Sequence, residues 1–256
     1  MNMDAIPIAA LFFGTIALVL GAIEAGYRLG RAARRRSEDE KESPVSAIAG
    51  SILGLLAFML AFTFGIVSDR YDTRRALVRE EANAIGTAYL RSDFLPEADR
   101  GKAVVLFKDY VARRLAAAQS RDAERVRQVL VDADQIQTQL WDMAVEHARQ
   151  DMNSDVAALY VEALNEVIDI HALRLAVGWQ ARIPAGIWLV LSALILLGML
   201  AIGYQTGIAG SRRSFSMAIL AVSFSLVIGL IASLDRPDSG FITVSQQPLV
   251  NLQRSM

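Results

Sequence analysis

The residues whose type and spacing could do chemistry lie along one apolar segment. Phe58, Phe62 and Ile66 recur every four residues, which places three bulky apolar side chains on roughly one face of a helix. Copies of such a face around an axis would form a hydrophobic constriction, which closes a membrane pore by excluding water. The alternative is that the three side chains pack against other helices or face lipid.

Three arginines follow this segment. Arg70, Arg74 and Arg75 would raise the local concentration of anions if they lay at the mouth of a pore. The alternative is that they form ion pairs with acids on the same helix. Those acids are Asp69, Asp72, Glu80 and Glu81.

Other catalytic or metal chemistry has few candidates. The chain has no Cys, which excludes disulfides, thiol catalysis and Cys-ligated zinc. Its two histidines, His147 and His171, are too few for a histidine-rich metal site. No nucleophile motif, phosphate loop or zinc-ligand spacing is present. The sequence therefore predicts neither an enzyme nor a bound cofactor or metal, and the net charge of −1 indicates no nucleic-acid partner.

Four long apolar runs must position these side chains. Each has about 20 residues, enough to cross the hydrocarbon core of a bilayer as a helix. Apolar residues make up 54% of the chain, more than is usual for a soluble domain. The sequence therefore predicts an integral membrane protein with the lipid bilayer as a partner. The runs cover residues 6–27, 47–67, 187–204 and 215–234.

The predicted fold class is an all-α membrane protein in four parts. Residues 1–67 hold the first two transmembrane helices and a basic loop at 28–43, and residues 183–234 hold the third and fourth. Residues 68–182 form an extramembrane helical bundle inserted between the second and third spans. A tail at 235–256 offers Gln246 and Gln247 for hydrogen bonds to the bundle or to a neighbouring subunit.

The helices of the central segment can be placed from its composition. Ala, Leu, Arg and Glu dominate it, and all four are strong helix formers. The second span is expected to continue as a helix through Arg91, and Pro96 to begin the next one, which ends near Gln119. Further helices begin near Ser120, with Asp122 and Glu124 in the first turn, and after Asn153 or Ser154. His147 continues an apolar row on one face of the helix that begins near Ser120, and it is either a pH sensor or a neutral core residue hydrogen-bonded to a neighbour. The row is Val129, Ala133, Ile136, Leu140 and Met143.

Two rows of small residues predict close helix packing. Small side chains at four-residue steps let helix backbones approach each other in lipid. The contacts could be within one subunit or between subunits. The rows are Ser46, Gly50 and Gly54 on the second span and Ser225, Gly229 and Ser233 on the fourth.

Basic residues predict the orientation in the membrane. The connection at 28–43 holds five arginines and one lysine, and the connection between the last two spans holds Arg212 and Arg213. Basic residues in short loops mark the cytoplasmic side, which places both termini and the central domain outside the cytoplasm. The acids at 38–40, with Glu42, indicate either a switchable lipid-binding loop or a solvated connector.

Four stretches of the chain resemble a known family. They read FTFGIVSDRYDTRR at 62–75, EEANAIGTAYLR at 80–91, LNEVIDIHALR at 164–174 and VSQQPL at 244–249. Together they resemble the bestrophin-like domain family of bacterial membrane proteins over nearly the whole chain. The motif residues are Tyr71, Asp72, Asn83, Asn165, Asp169, His171, Arg174, Gln246 and Gln247.

The resemblance implies a channel in the bacterial inner membrane. Bestrophins, which the family distantly resembles, are pentameric anion channels with four spans per subunit and a phenylalanine-rich neck on the second span. The resemblance thus implies a homo-oligomer, a pentamer, that conducts small anions, with Phe58, Phe62 and Ile66 as the neck. The bestrophin Tyr-Asp-Arg-Trp-type motif is matched only in part, because Tyr71-Asp72-Thr73-Arg74 lacks tryptophan. In bestrophins the central segment is cytoplasmic, so either the charge rule fails here or the topology differs.

A second function is compatible with the same pattern. The chain could be a membrane sensor or scaffold whose helical bundle binds a ligand or a partner protein, with the long second helix transmitting a shift. A stoichiometric partner and a monomeric or dimeric state would favour this reading.

Overall fold

The computed structural model describes residues 6–36, 42–120, 122–180, 182–210, 215–236 and 241–256. These residues are helical and contain no strand, which confirms the all-α class. A 3₁₀ turn, Ser92–Phe94, follows α2, and a π-helical turn, Ala176–Gln180, follows α5. The α-helices are α1 Ile8–Arg36, α2 Glu42–Arg91, α3 Glu97–Gln119, α4 Ala123–Gln150, α5 Asp155–Leu175, α6 Ala185–Ile208, α7 Ser216–Asp235 and α8 Gln247–Ser255.

Four of the described helices are long and apolar enough to cross a membrane. They are α1, α2, α6 and α7, and the most apolar 18-residue windows have mean hydropathies of 2.2 to 2.5. The prediction of four candidate spans is confirmed.

Helix α1 extends beyond the first apolar run, into the segment predicted as a basic loop. Helix α1 continues through Arg36 and carries Arg34, Arg35 and Arg36 in its last turn. Arginine is a good helix former, and its charge is favourable at the negative end of the helix dipole, so the helix does not end where the apolar run does. The acidic stretch at 38–40, together with Arg212 and Arg213, lies outside the described residues.

Most of the helix ends expected for the central segment are confirmed. Helix α2 ends at Arg91, and Pro96 immediately precedes α3. The Ser154 hydroxyl accepts from the Ala157 amide at the start of α5. Asp122 does not lie in the first turn of α4. It is the N-cap, because its carboxylate accepts from the backbone nitrogen of Glu124 at 3.0 Å.

The chain divides into two compact units. The first comprises residues 1–69 and 182–242, and the second comprises residues 70–181 and 243–256. The first half of α2 therefore belongs to one unit and its second half to the other.

In the first unit, α1 packs against α6 and α7. The α1–α6 crossing is made by glycines, Gly26 and Gly30 on α1 facing Gly203 and Gly207 on α6. A Cβ atom at Gly26 would lie 2.9 Å from the backbone nitrogen of Tyr204 and still closer to another backbone atom of α6. The two helix backbones are thus in direct contact, as small residues at four-residue spacing permit. Rows of small residues were predicted to pack on the second and fourth spans, whereas this contact joins the first and third.

In the second unit, α3, α4 and α5 pack in sequence around an apolar core. Phe107, Tyr110 and Tyr160 are its largest buried side chains. The C-terminal tail packs against this core, because Leu249 of α8 is completely buried in it. The Tyr89 hydroxyl also donates to the backbone oxygen of Met256 at 3.2 Å.

Gly26→Ala is expected to destabilise the protein by about 1–3 kcal/mol, because the added methyl group meets backbone that cannot move aside. Gly21→Ala on the same helix is the matched control, since nothing lies within 4 Å of a Cβ there. Unfolding in detergent, followed by circular dichroism, measures both. Equal stability of the two variants would show that the α1–α6 contact is looser than described.

Candidate functional site

The first half of α2 has an uncovered apolar face. The side chains of Phe58 and Phe62 are 64% and 60% exposed, and their rings stack with centroids 6.4 Å apart. Ile66, the third predicted constriction residue, is half-buried. Leu56 and Val67, on the opposite face, are completely buried. A single chain therefore presents two large apolar rings, one turn apart, on its surface.

The second half of α2 also has one covered and one uncovered face. Leu77, Glu81 and Ile85 are buried. Asp72 and Asn83, two of the motif residues, are exposed. This half therefore presents mainly polar side chains outward, while apolar side chains, the Glu81 carboxylate and Arg74 are buried.

In each half of α2 the uncovered residues recur at the helical period. At 3.6 residues per turn, those from Phe58 to Asp69 in the first unit, and those from Asp72 to Thr87 in the second, lie within a sector of no more than about 80° in their own half. None of them is buried. In each half the buried residues lie on the opposite side. The uncovered residues are Phe58, Phe62, Gly65 and Asp69 in the first half, and Asp72, Ala76, Glu80, Asn83 and Thr87 in the second.

The three arginines predicted at a pore mouth do not share one environment. Arg75 is exposed, Arg70 is half-buried and Arg74 is buried. Arg70 and Arg74 lie two residues before and two residues after Asp72, which at about 100° per residue turns them away from the uncovered side. Only Arg75 of the three lies open to its surroundings.

A buried carboxylate joins three helices of the second unit. Glu81 on α2 is fully buried, and its Oε1 accepts from Nε of Arg114 on α3 at 2.7 Å. Its Oε2 accepts from Nη1 of Arg174 on α5. Arg174 also donates through Nη2 to Oε1 of Gln246 in the tail, at 3.2 Å. Glu81, expected as a partner of arginines on its own helix, thus binds arginines of two others.

A second polar group adjoins this cluster. The Tyr110 hydroxyl accepts from Nε2 of Gln137 at 2.9 Å and lies 3.1 Å from Nδ1 of His171. Because the Tyr110 oxygen already accepts one hydrogen bond, its proton is free to donate to Nδ1 of a neutral imidazole. That bond leaves the imidazole proton on Nε2. Nε2 lies 3.0 Å from the carboxylate of Asp134, at an angle outside hydrogen-bonding geometry.

Burial keeps both rings of this group uncharged. Desolvation, followed by the positive charge of Arg114, lowers the pKa of His171 to about 4. Desolvation also raises the pKa of the Tyr110 hydroxyl above its usual value. At neutral pH His171 is therefore a neutral hydrogen-bond acceptor rather than a cation.

Other motif residues line a polar cleft of about 620 Å³ in the second unit. Asn165 and Asp169 on α5 lie there with Glu80 and Arg91. Asp169 is exposed and His171 buried, so the two residues do not form a metal pair. Within the described ranges, no cluster of His, Cys, Asp or Glu could hold a metal ion.

The remaining predicted residues have different surroundings. Tyr71 is half-buried, and Nε2 of Gln247 donates to Asn251 within α8 at 2.8 Å. His147 is half-buried, and its Nδ1 finds no hydrogen-bond partner among the described residues, unlike the bonded core histidine expected.

The two predicted rows of small residues also differ. Ser46, Gly50 and Gly54 are exposed, and a Cβ at either glycine would meet nothing within 4 Å. Packing of this row therefore stays a prediction for a contact between copies. On α7, Ser225 and Ser233 are buried, whereas a Cβ at Gly229 would meet nothing.

The sequence itself matches a family over most of its length. A model of the bestrophin-like domain matches residues 13–249. The chain belongs to the bestrophin-like domain family. This confirms the resemblance predicted from the four sequence stretches.

The bestrophin-like fold also resembles solved structures of a bacterial bestrophin homologue from Klebsiella pneumoniae. One mutant of that protein superposes with a TM-score of 0.66 at 14% identity, covering 96% of both chains. Another gives 0.65 at 13% identity, covering 96% of this chain and 99% of the other. At these identities the likeness shows the fold alone. No curated protein matches the sequence.

Reasoning from sequence found part of the polar cluster and missed the rest. His171, Arg174 and Gln246 were selected through the family resemblance. Arg114 and Tyr110 were not selected. Arg114 lies between the apolar positions Val111 and Leu115 of a helix, and a charge so placed is the pattern that could have revealed a buried partner.

Glu81→Gln is expected to destabilise the second unit by about 3–5 kcal/mol, because Arg114 and Arg174 would be left buried without a counter-charge. Glu80→Gln is the matched control, since the neighbouring Glu80 is exposed and should change little. Thermal unfolding of the purified full chain at pH 7.5 compares the two variants. A stable Glu81→Gln protein would mean that the arginines reach water or other acceptors.

Proposed function

We propose that this bestrophin-like protein is an oligomeric membrane channel that conducts small anions, with an apolar constriction on α2. The observation that carries the proposal is the uncovered face of the first half of α2, from Phe58 to Asp69. It is apolar at Phe58 and Phe62 and charged at Asp69.

The order of residues along this face suits a pore-lining helix. Phe58 and Phe62 belong to a segment apolar enough to lie in hydrocarbon. Asp69 follows on the same side of the same unit, and a carboxylate is costly to expose to lipid. A face that changes from apolar to charged along the helix, and that none of the described residues covers, suits an aqueous axis shared by several copies.

Apolar rings at such an axis would act as a gate. Copies of Phe58 and Phe62 would narrow the axis and exclude water from it, with Ile66 at their edge. Arg75, and Arg79 four residues later, are exposed and would draw anions toward the axis. By the family resemblance, the oligomer is proposed to be a homopentamer.

The central part of the chain is proposed to be an extramembrane bundle inserted between the second and third spans. The polar surface of residues 68–182 supports this, since lipid would leave many charges unsolvated. The exposed row Ser46, Gly50 and Gly54 is proposed to pack against a neighbouring copy.

Phe58→Ala together with Phe62→Ala is expected to raise single-channel conductance in planar bilayers, because removing two rings widens and wets the constriction. Phe64→Ala is the matched control, since Phe64 is exposed but lies about 240° around α2 from Phe58. Reversal potentials under a chloride gradient test anion selectivity in the same recordings. Absence of current from purified oligomer at every salt concentration and pH would count against the channel.

The bundle is proposed to lie outside the cytoplasm, in a protein of the bacterial inner membrane. The arginines at the end of α1 support this orientation through the positive-inside rule. A reporter that is active only in the cytoplasm, fused after Met256, should then be inactive, while one inserted near residue 39 should be active. The reverse result would place the bundle on the cytoplasmic side.

A further inference from the structure

The polar cluster of the second unit holds a deeply buried histidine whose hydrogen bond depends on its protonation state. His171 on α5 is only 3% exposed, yet five charged or polar groups face it from all the helices packed around it. These groups are Glu81 on α2, Tyr110 and Arg114 on α3, Asp134 on α4 and Arg174 on α5.

We propose that His171 is a proton-responsive latch, whose protonation at mildly acidic pH releases α5 from its contacts with α2 and α3.

The hydrogen bonds define the closed state of the latch. Gln137 donates to the Tyr110 oxygen, and in the closed state the Tyr110 hydroxyl donates to Nδ1 of neutral His171. An imidazolium carries a proton on both nitrogens and cannot accept that bond. Protonation therefore turns the Tyr110 proton away from Nδ1 and removes its acceptor inside the core.

The surrounding charges act in the same direction. Arg114 and Arg174 already place two positive charges at the cluster, and both bind the single carboxylate of Glu81. Asp134 is the other acid facing the ring, and its side chain is 59% exposed and so largely screened by water. A third positive charge has no buried counter-charge of its own and is accommodated only when the cluster opens.

The pH range follows from the two states of the histidine. In the open state its pKa is the ordinary 6.5, and in the closed state burial and Arg114 lower the pKa to about 4. The open state thus binds more protons, so opening becomes more favourable as the pH falls below 6.5 and levels off below 4. Between pH 7 and pH 5 the opening equilibrium should rise about 20-fold.

A channel is not required for the latch to exist, since it concerns only contacts within the second unit. If the proposed function holds, Glu81 provides the connection to it. The carboxylate that binds Arg174 belongs to α2, the helix proposed to line the pore.

Thiol labelling of the full chain tests the latch, because the natural chain has no Cys. Ala163→Cys places a thiol on the buried face of α5, two turns before His171, at a site 1% exposed. Asn165→Cys on the exposed face of α5 corrects for the pH dependence of the reagent. The labelling rate of Ala163→Cys, divided by that of Asn165→Cys, should rise about 20-fold from pH 7 to pH 5.

Two histidine variants identify the titrating group. His171→Gln in the Ala163→Cys background keeps an acceptor for Tyr110 and does not titrate, so the ratio should change less than about twofold. His147→Gln, on α4, should behave like the parent. A ratio independent of pH in the parent, or an unchanged response in His171→Gln, would overturn the latch.

Tyr110→Phe keeps the test decisive if His171→Gln does not fold. Losing the hydroxyl removes a hydrogen bond of the closed state, so the labelling ratio at pH 7 should rise above that of the parent. The response to pH remains, because burial and Arg114 still lower the pKa of His171. A labelling ratio at pH 7 no higher than that of the parent would also overturn the latch. None of these outcomes depends on ion conduction.

Discussion

The structure depends on one constraint, the helical period of α2. The helix runs for 50 residues without interruption. In both halves of the helix one side is covered, near Leu56 in the first half and near Ile85 in the second. The open side carries Phe58 in the first half and Asp72 and Asn83 in the second.

The covered face of α2 is held by a buried charge as well as by apolar packing. Glu81 gives α2 a fixed partner on α3 and another on α5. Gln246 of the tail extends the same cluster through Arg174. Buried ion pairs of this kind gain little net stability but are costly to break, because a lone buried charge remains. The cluster therefore ties the second half of α2 to α3 and α5.

Local rules predicted the helices well and their contacts poorly. Hydropathy was sufficient for the four spans, and Pro96 and Ser154 marked helix starts through ordinary capping chemistry. The Gly26–Gly203 contact was missed, because single-sequence spacing does not say which helices are neighbours. Arg74 was expected at a pore mouth but is buried, because it lies two turns before Glu81 on the buried side of α2. The partners of Glu81 lie 33 and 93 residues away, beyond any local pattern.

The central claim is that copies of this bestrophin-like chain assemble with the uncovered face of α2 turned toward a common axis. Single-particle imaging of the protein in lipid nanodiscs, viewed along the membrane normal, measures this directly. The account predicts a closed ring of copies, five by family resemblance, around a central hole, with Phe58 and Phe62 nearest the axis. A monomer, or a ring in which α2 faces the lipid, would contradict it.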